Sequence, residues 1–244
     1  MHNCHNCQGL VADGLKNCPH CNIEQPPIIP NSEYSNPNVK IYTTEDTPSY
    51  TLIEWLLVDK HQDNSAVLIV RAVFYIALLM LSLKLLMTSV EDMADSVWFL
   101  HAINTPFHEA GHVIFSPFGQ YIHSLGGSLG QVLMPLICFV SLLFKNRDPF
   151  GATIALWWTG ENFLDMSPYI NDARALDLPL LGGNVGHSSP YGFHDWEYLL
   201  TEINLIEYDT IIAKIAFATG SIIILLALFW SAVILFKQYQ KLNA

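Results

Sequence analysis

The sequence predicts an all-α, multi-span membrane protein with a small N-terminal zinc ribbon, and three observations predict it. Only 14% of the 244 residues are charged while 51% are hydrophobic, whereas a soluble domain carries nearer a quarter charged residues. Several apolar stretches of about 20 residues, the length that crosses a hydrocarbon core, follow one another from residue 66 onward. Four of the five cysteines fall within the first 21 residues, too local for a disulfide framework spread over a secreted fold. The expected organisation is a ribbon over 1–22, a Pro/Asn-rich linker with an amphipathic piece over 23–64, and a membrane body over 65–244. A net charge of −11 lacks the basic footprint of a nucleic-acid binder. Lipid, and a membrane-associated protein substrate or partner, are the expected partners, and no nucleic acid is.

At the N-terminus Cys4-x2-Cys7 and Cys18-x2-Cys21 are separated by ten residues, with Asp13-Gly14 placed for a hairpin turn between them. Each pair lets two thiolates reach one metal from a tight turn, and two pairs complete a tetrahedral four-sulfur zinc site. A segment this short has no core of its own, so metal must supply its folding energy. The alternative is a redox or disulfide pair. These knuckles closely resemble the short zinc ribbons that open many bacterial membrane proteins. Residues 1–21 contain no apolar run, so no cleavable signal peptide is expected. Pro26, Pro27, Pro30, Pro37 and Pro48 then mark the linker, and residues 52–58 are expected to lie on the membrane surface.

Four segments are expected to span: 66–87, with Arg71 and Lys84 snorkelling near its ends, 125–144, 150–170 and 215–236. A fifth, 97–118, is apolar yet holds His101, His108, Glu109 and His112. If it is re-entrant, Lys40, Lys60, Lys145, Arg147, Lys237 and Lys241 all face the cytoplasm, as the basic-residue rule requires. A full five-span arrangement would place Lys237 and Lys241 outside. The ribbon is then cytoplasmic.

The chemistry is expected in His108-Glu109-Ala110-Gly111-His112. Thr105 as N-cap and Pro106 at the first helical position predict that a helix starts here. One helical turn brings both imidazoles to one point, where they can share zinc, and Glu109 alongside can take a proton from activated water. A charged group inside an apolar segment is costly and defaults to a functional reading. Zinc needs a third protein ligand. Glu161 and Asp165, one turn apart on a later segment, are the candidates, one as ligand and the other orienting an imidazole. His194, beside Asp195 in a loop of over 35 residues between spans, is the rival ligand, or else caps a helix starting near Trp196. His101, His123 and His187 read as polar contacts, Asn171, Asp172 and Arg174 as an internal pairing, and Gly126, Gly127, Ser128 and Gly130 as close helix packing.

At these residues the sequence resembles the site-2-protease-like intramembrane metalloproteases, and the group of bacterial membrane proteins that join a zinc ribbon to such a core. The resemblance covers roughly residues 97–172. It implies His108 and His112 as ligands, Asp165 as the third, Glu109 as general base, and hydrolysis of peptides within or beside a bacterial inner membrane. The chain departs from the family's Asn-x-x-Pro and Asp-Gly patterns, since Asp165 stands three residues after Asn162 and Ala173 follows Asp172. A second reading, from a different class, is a membrane scaffold or metal-sensing regulator in which the second metal has four protein ligands and no open position.

Overall fold

The computed structural model describes residues 2–4, 6–12, 15, 17–24, 51–58, 64–96 and 98–243. The turn expected at Asp13-Gly14, most of the 23–64 linker, Lys40 and Lys60 lie outside the described residues. The chain divides into two units, Met1–Ser49 and Tyr50–Ala244.

In the first unit, β1 (His2–Asn3) pairs antiparallel with β2 (Leu10–Val11). The two Cys pairs adopt the same turn. Cys4 N–H donates to Gly9 O and Gln8 N–H to Cys4 O, as Cys18 N–H does to Ile23 O and Asn22 N–H to Cys18 O. Gln8 and Asn22 both take φ 57°, the left-handed conformation that closes each turn. Buried Cys4, Val11 and Cys18 are all the core this unit has among its described residues.

The second unit is helical. It comprises α1 (Leu52–Leu57), α2 (Ser65–Leu86), α3 (Met93–Ser96), α4 (Trp98–Phe115), α5 (Gln120–Val140), α6 (Pro149–Asn171), α7 (Asp195–Glu202) and α8 (Asp209–Leu242). Side chains set the helix starts. Thr51 makes a capping box with Glu54, Asn64 accepts from Ala66 and Val67 N–H, and Asp148 caps α6 with Pro149 following. Among the described residues three helices are long and apolar enough to cross a membrane: Ser65–Leu86, Gln120–Lys145 and Ile206–Leu242. Their outer faces show Ile69, Val73, Phe74, Ile137, Leu226 and Phe229 exposed, an apolar surface that water would not tolerate over such an area. The protein is mostly helical and its composition and outer faces suit a bilayer.

The segment expected to span at residues 150–170 is enclosed by its neighbours, and the helix start expected at Thr105 needs correction. Residues 150–170 do form a helix of spanning length, but α6 is not among the three apolar ones. Thr153, Thr159, Glu161, Asn162, Asp165 and Ser167 are buried on it, because α6 lies inside the bundle. It packs on α8 where Gly160 and Gly220 let the backbones meet; a Cβ at Gly220 would lie 2.4 Å from Gly160 O. The core beside it is Leu85, Met93, Trp157, Leu164, Ile224 and Leu228. Helix α4 starts at Trp98, so Pro106 is interior and Thr105 is no cap. The Thr105 hydroxyl instead donates to the His101 carbonyl at 2.7 Å, and the helix runs through the proline.

Candidate metal centre

α4 lies against α5 at van der Waals contact of backbone on backbone. A Cβ on Gly111 would meet Gly126 O at 2.0 Å, and one on Gly130 would meet Phe107 O at 2.3 Å. This contact turns His108 and His112, one turn apart, toward α5, with ring centroids 4.8 Å apart at 77°. Each ring is then fixed through Nδ1. His108 Nδ1–H donates to Gln131 Oε1 at 2.7 Å, and His112 Nδ1–H to the His123 carbonyl at 2.8 Å. His123 Nδ1–H returns a bond to the His112 carbonyl at 2.9 Å, a reciprocal tie between α4 and α5. With the proton on Nδ1, each Nε2 presents a lone pair, the form in which imidazole binds metal.

Both lone pairs meet a carboxylate. Asp195 Oδ2 lies 3.0 Å from His108 Nε2 and 3.1 Å from His112 Nε2, while Oδ1 accepts from the Ser124 hydroxyl at 2.8 Å. With no cation between them, only protons on the facing Nε2 atoms of His108 and His112 would hold the Asp195 carboxyl well below the usual carboxylate range against its burial. Three acceptors converging without a cation repel, and two imidazoliums face to face would repel as well. A divalent ion satisfies all three at once. The spacing agrees, because ligands 2.0–2.1 Å from a tetrahedral zinc are about 3.3 Å apart. Gly127 gives a further test of fit: a Cβ there would lie 2.4 and 2.6 Å from the two Nε2 atoms, so only a bare Cα leaves room on that side.

The acid that meets the histidine pair is therefore Asp195, and the expectation of Asp165, Glu161 or His194 is corrected by geometry. Asp165 accepts from His101 Nδ1–H at 2.9 Å and from Asn104 at 3.0 Å, and Glu161 from Asn104 at 3.0 Å. Their shared helical face does point at α4, but a stretch of α4 one to two turns before the motif. His194 takes the capping role. Its Nδ1 accepts from Glu197 N–H at 3.2 Å, which starts α7, and its Nε2 faces Asp172 Oδ2 at 3.6 Å. Capping by His194 sets Asp195 at the first position of α7, aimed at the imidazoles. Asp195 carries no local spacing signal, since it stands 83 residues beyond His112; the His194-Asp195-Trp196 cluster ending a long loop was the available clue. Asp172 and Arg174 pair outward from one another. Asp172 accepts from Asp177 and Leu178 N–H, and Arg174 grips Asp209 through two bonds of 2.8 and 2.7 Å.

His108, His112 and Asp195 border a cavity of about 590 Å³, which Glu109, His101 and Asp165 also line. Glu109 is exposed to it and carries no hydrogen bond or ion pair among the described residues. In the N-terminal unit, the Cys4, Cys7, Cys18 and Cys21 sulfurs form the second group that could hold a metal. Cys4–Cys21 and Cys7–Cys18 are each 3.6 Å apart. A disulfide needs about 2.05 Å, whereas sulfurs 2.3 Å from a tetrahedral zinc sit about 3.8 Å apart. Among the described residues no cysteine is in a disulfide. Set beside models of protein families, curated proteins and solved structures, the chain has no match.

Proposed function

We propose that the chain is a zinc-dependent intramembrane endopeptidase of a bacterial inner membrane, acting on membrane-associated proteins, with a cytoplasmic zinc ribbon at Cys4, Cys7, Cys18 and Cys21. One arrangement carries this reading. Two imidazole lone pairs, each fixed by a partner on the far nitrogen, meet the Asp195 carboxylate beside an unpaired Glu109 on the wall of a cavity. Three protein donors leave the fourth tetrahedral position open to water, as hydrolytic zinc sites do. Zinc bound there supplies Lewis acidity, polarising a peptide carbonyl and making water a stronger acid. Glu109, on the cavity wall, would act as general base toward such a water and would return the proton to the leaving amine. The Ser128 hydroxyl and Gln131 amide nitrogen are buried at the same cavity without partners among the described residues and offer hydrogen bonds to an extended peptide. In the bilayer, α2, α5 and α8 cross, α4 is tucked beside them, and α6 is enclosed as a fourth span.

A scaffold or metal-sensing role would ask for a fourth protein ligand. Asp165 is engaged by His101 and Asn104, and His194 by α7 and Asp172, which favours the open-site reading. The test is zinc content together with cleavage of a membrane-tethered reporter. Two zinc ions per chain are expected, and Glu109→Gln should keep both while losing cleavage. A single zinc retained by the cysteines, or undiminished cleavage by Glu109→Gln, overturns the proposal.

A further inference from the structure

At the other end of the cavity is a second ionisable cluster that the hydrolytic reading leaves unused. His101 and Asn104 on α4 face Glu161 and Asp165 on α6. Tyr169 stacks flat on the His101 ring, centroids 5.4 Å apart at 15°. Asn104 spends both protons of one amide nitrogen on the two acids, reaching Glu161 Oε2 and Asp165 Oδ2 at 3.0 Å each. Its own carbonyl is held by the Trp158 indole N–H at 2.8 Å. Asn104, Glu161 and Asp165 are at most 2% exposed.

The donors divide unequally. Asp165 has the His101 imidazole on one oxygen and the Asn104 amide on the other. Glu161 has a single amide N–H, and its Oε1 is buried with no partner among the described residues. Two acceptors of one amide nitrogen at this range are about 5 Å apart, so two negative charges on these buried groups would repel at short distance. Asp165 is the charged group that faces both His101 and Glu161; Tyr169 closes the cavity side, with His194 and Asp172 beyond it. A fully buried ionised carboxylate with a single donor is the least tenable state in such a cluster.

We propose that Glu161 is a proton-binding site: it holds a proton at neutral pH as a neutral carboxylic acid, beside an ionised Asp165 paired with His101. The proton bears on the cavity because the acid sits at the contact between α6 and the helix that carries His108 and His112. Releasing it sets two negative charges behind one imidazole and loosens α4 from α6.

Infrared spectroscopy of the full chain in lipid at pH 7 tests this. A carbonyl stretch of a protonated carboxylic acid is expected. It should shift when glutamate is supplied carboxyl-labelled with carbon-13, vanish in Glu161→Gln, and persist in Asp165→Asn. Glutamine imitates the neutral acid, so Glu161→Gln should keep its helical content; the isotope shift stands without either variant. Absence of the band, no shift with labelled glutamate, or loss in Asp165→Asn alone overturns the proposal. So does loss of the band on replacing potassium by sodium at constant pH, which would assign the site to a metal cation.

Discussion

Asp195 owes its position to four neighbours. His194 starts the helix beneath it, Ser124 holds Oδ1, and the imidazoles face Oδ2. Asp195→Asn should therefore lose the second zinc equivalent, while Asp165→Asn keeps it; zinc per purified chain decides between them, and the reverse result would restore Asp165 as ligand. Removing the acceptor behind His108 is subtler. Gln131→Ala should weaken zinc about 10–100-fold, the usual effect of losing a group that orients a ligand, measured by chelator competition. The sequence revealed those parts of the site that are local. Two histidines one turn apart and two Cys-x2-Cys turns declare their geometry in their spacing. Asp195 does not, because the loop over 172–194 decides where it lands, and the stronger-looking signal, Glu161 and Asp165 on one face, belongs to another cluster.

The same divide holds for whole helices. α2, α5 and α8 are legible because each carries a window of high mean hydropathy with few charges, a pattern that survives any packing. The length of residues 150–170 predicts a span, yet the polar side chains of α6 are buried by neighbouring helices, and tertiary enclosure leaves no mark in a hydropathy window. Pro106 predicts a helix start because proline suits a first turn, but it is tolerated inside α4. Between α4 and α5 the glycines are structural: Gly111→Ala places its methyl against the Gly126 backbone, where no side chain can swing aside. It should destabilise the helical unit by about 1–3 kcal/mol and weaken zinc binding with it, read by thermal unfolding and metal content. Unchanged stability would mean the helices can part freely. The α6–α7 loop answers to pH. Burial raises the Asp172 carboxyl, but His194 and the Leu178 and Asp177 N–H groups outweigh it and hold it below its ordinary value. A carboxyl depressed in the folded state stabilises above its unfolded value and loses that contribution as pH falls through the folded one. Hydrogen-exchange protection over 173–194 should thus drop below pH about 4, a step that Asp172→Asn removes. Loosening on raising the pH instead would contradict this assignment.

Across the molecule the two units rest on different physics. The helical unit buries side chains among its helices, whereas the described residues of 1–24 have Cys4, Val11 and Cys18 as their buried core, too little to fold on without a bound ion. Chelation should expose residues 1–24 to protease while the helical signal of the larger unit stays near its starting value. Resistance of both units to chelation would argue that the cysteines need no metal. The centre in the larger unit is assembled from two stretches of chain, an imidazole pair on one helix and an acid delivered from the far side of the 172–194 loop. That division makes the centre severable. One backbone cut near Leu181, at an exposed bend, would leave every helix standing and yet free the acid to drift from its histidines, so a single scission could silence the protein without unfolding it.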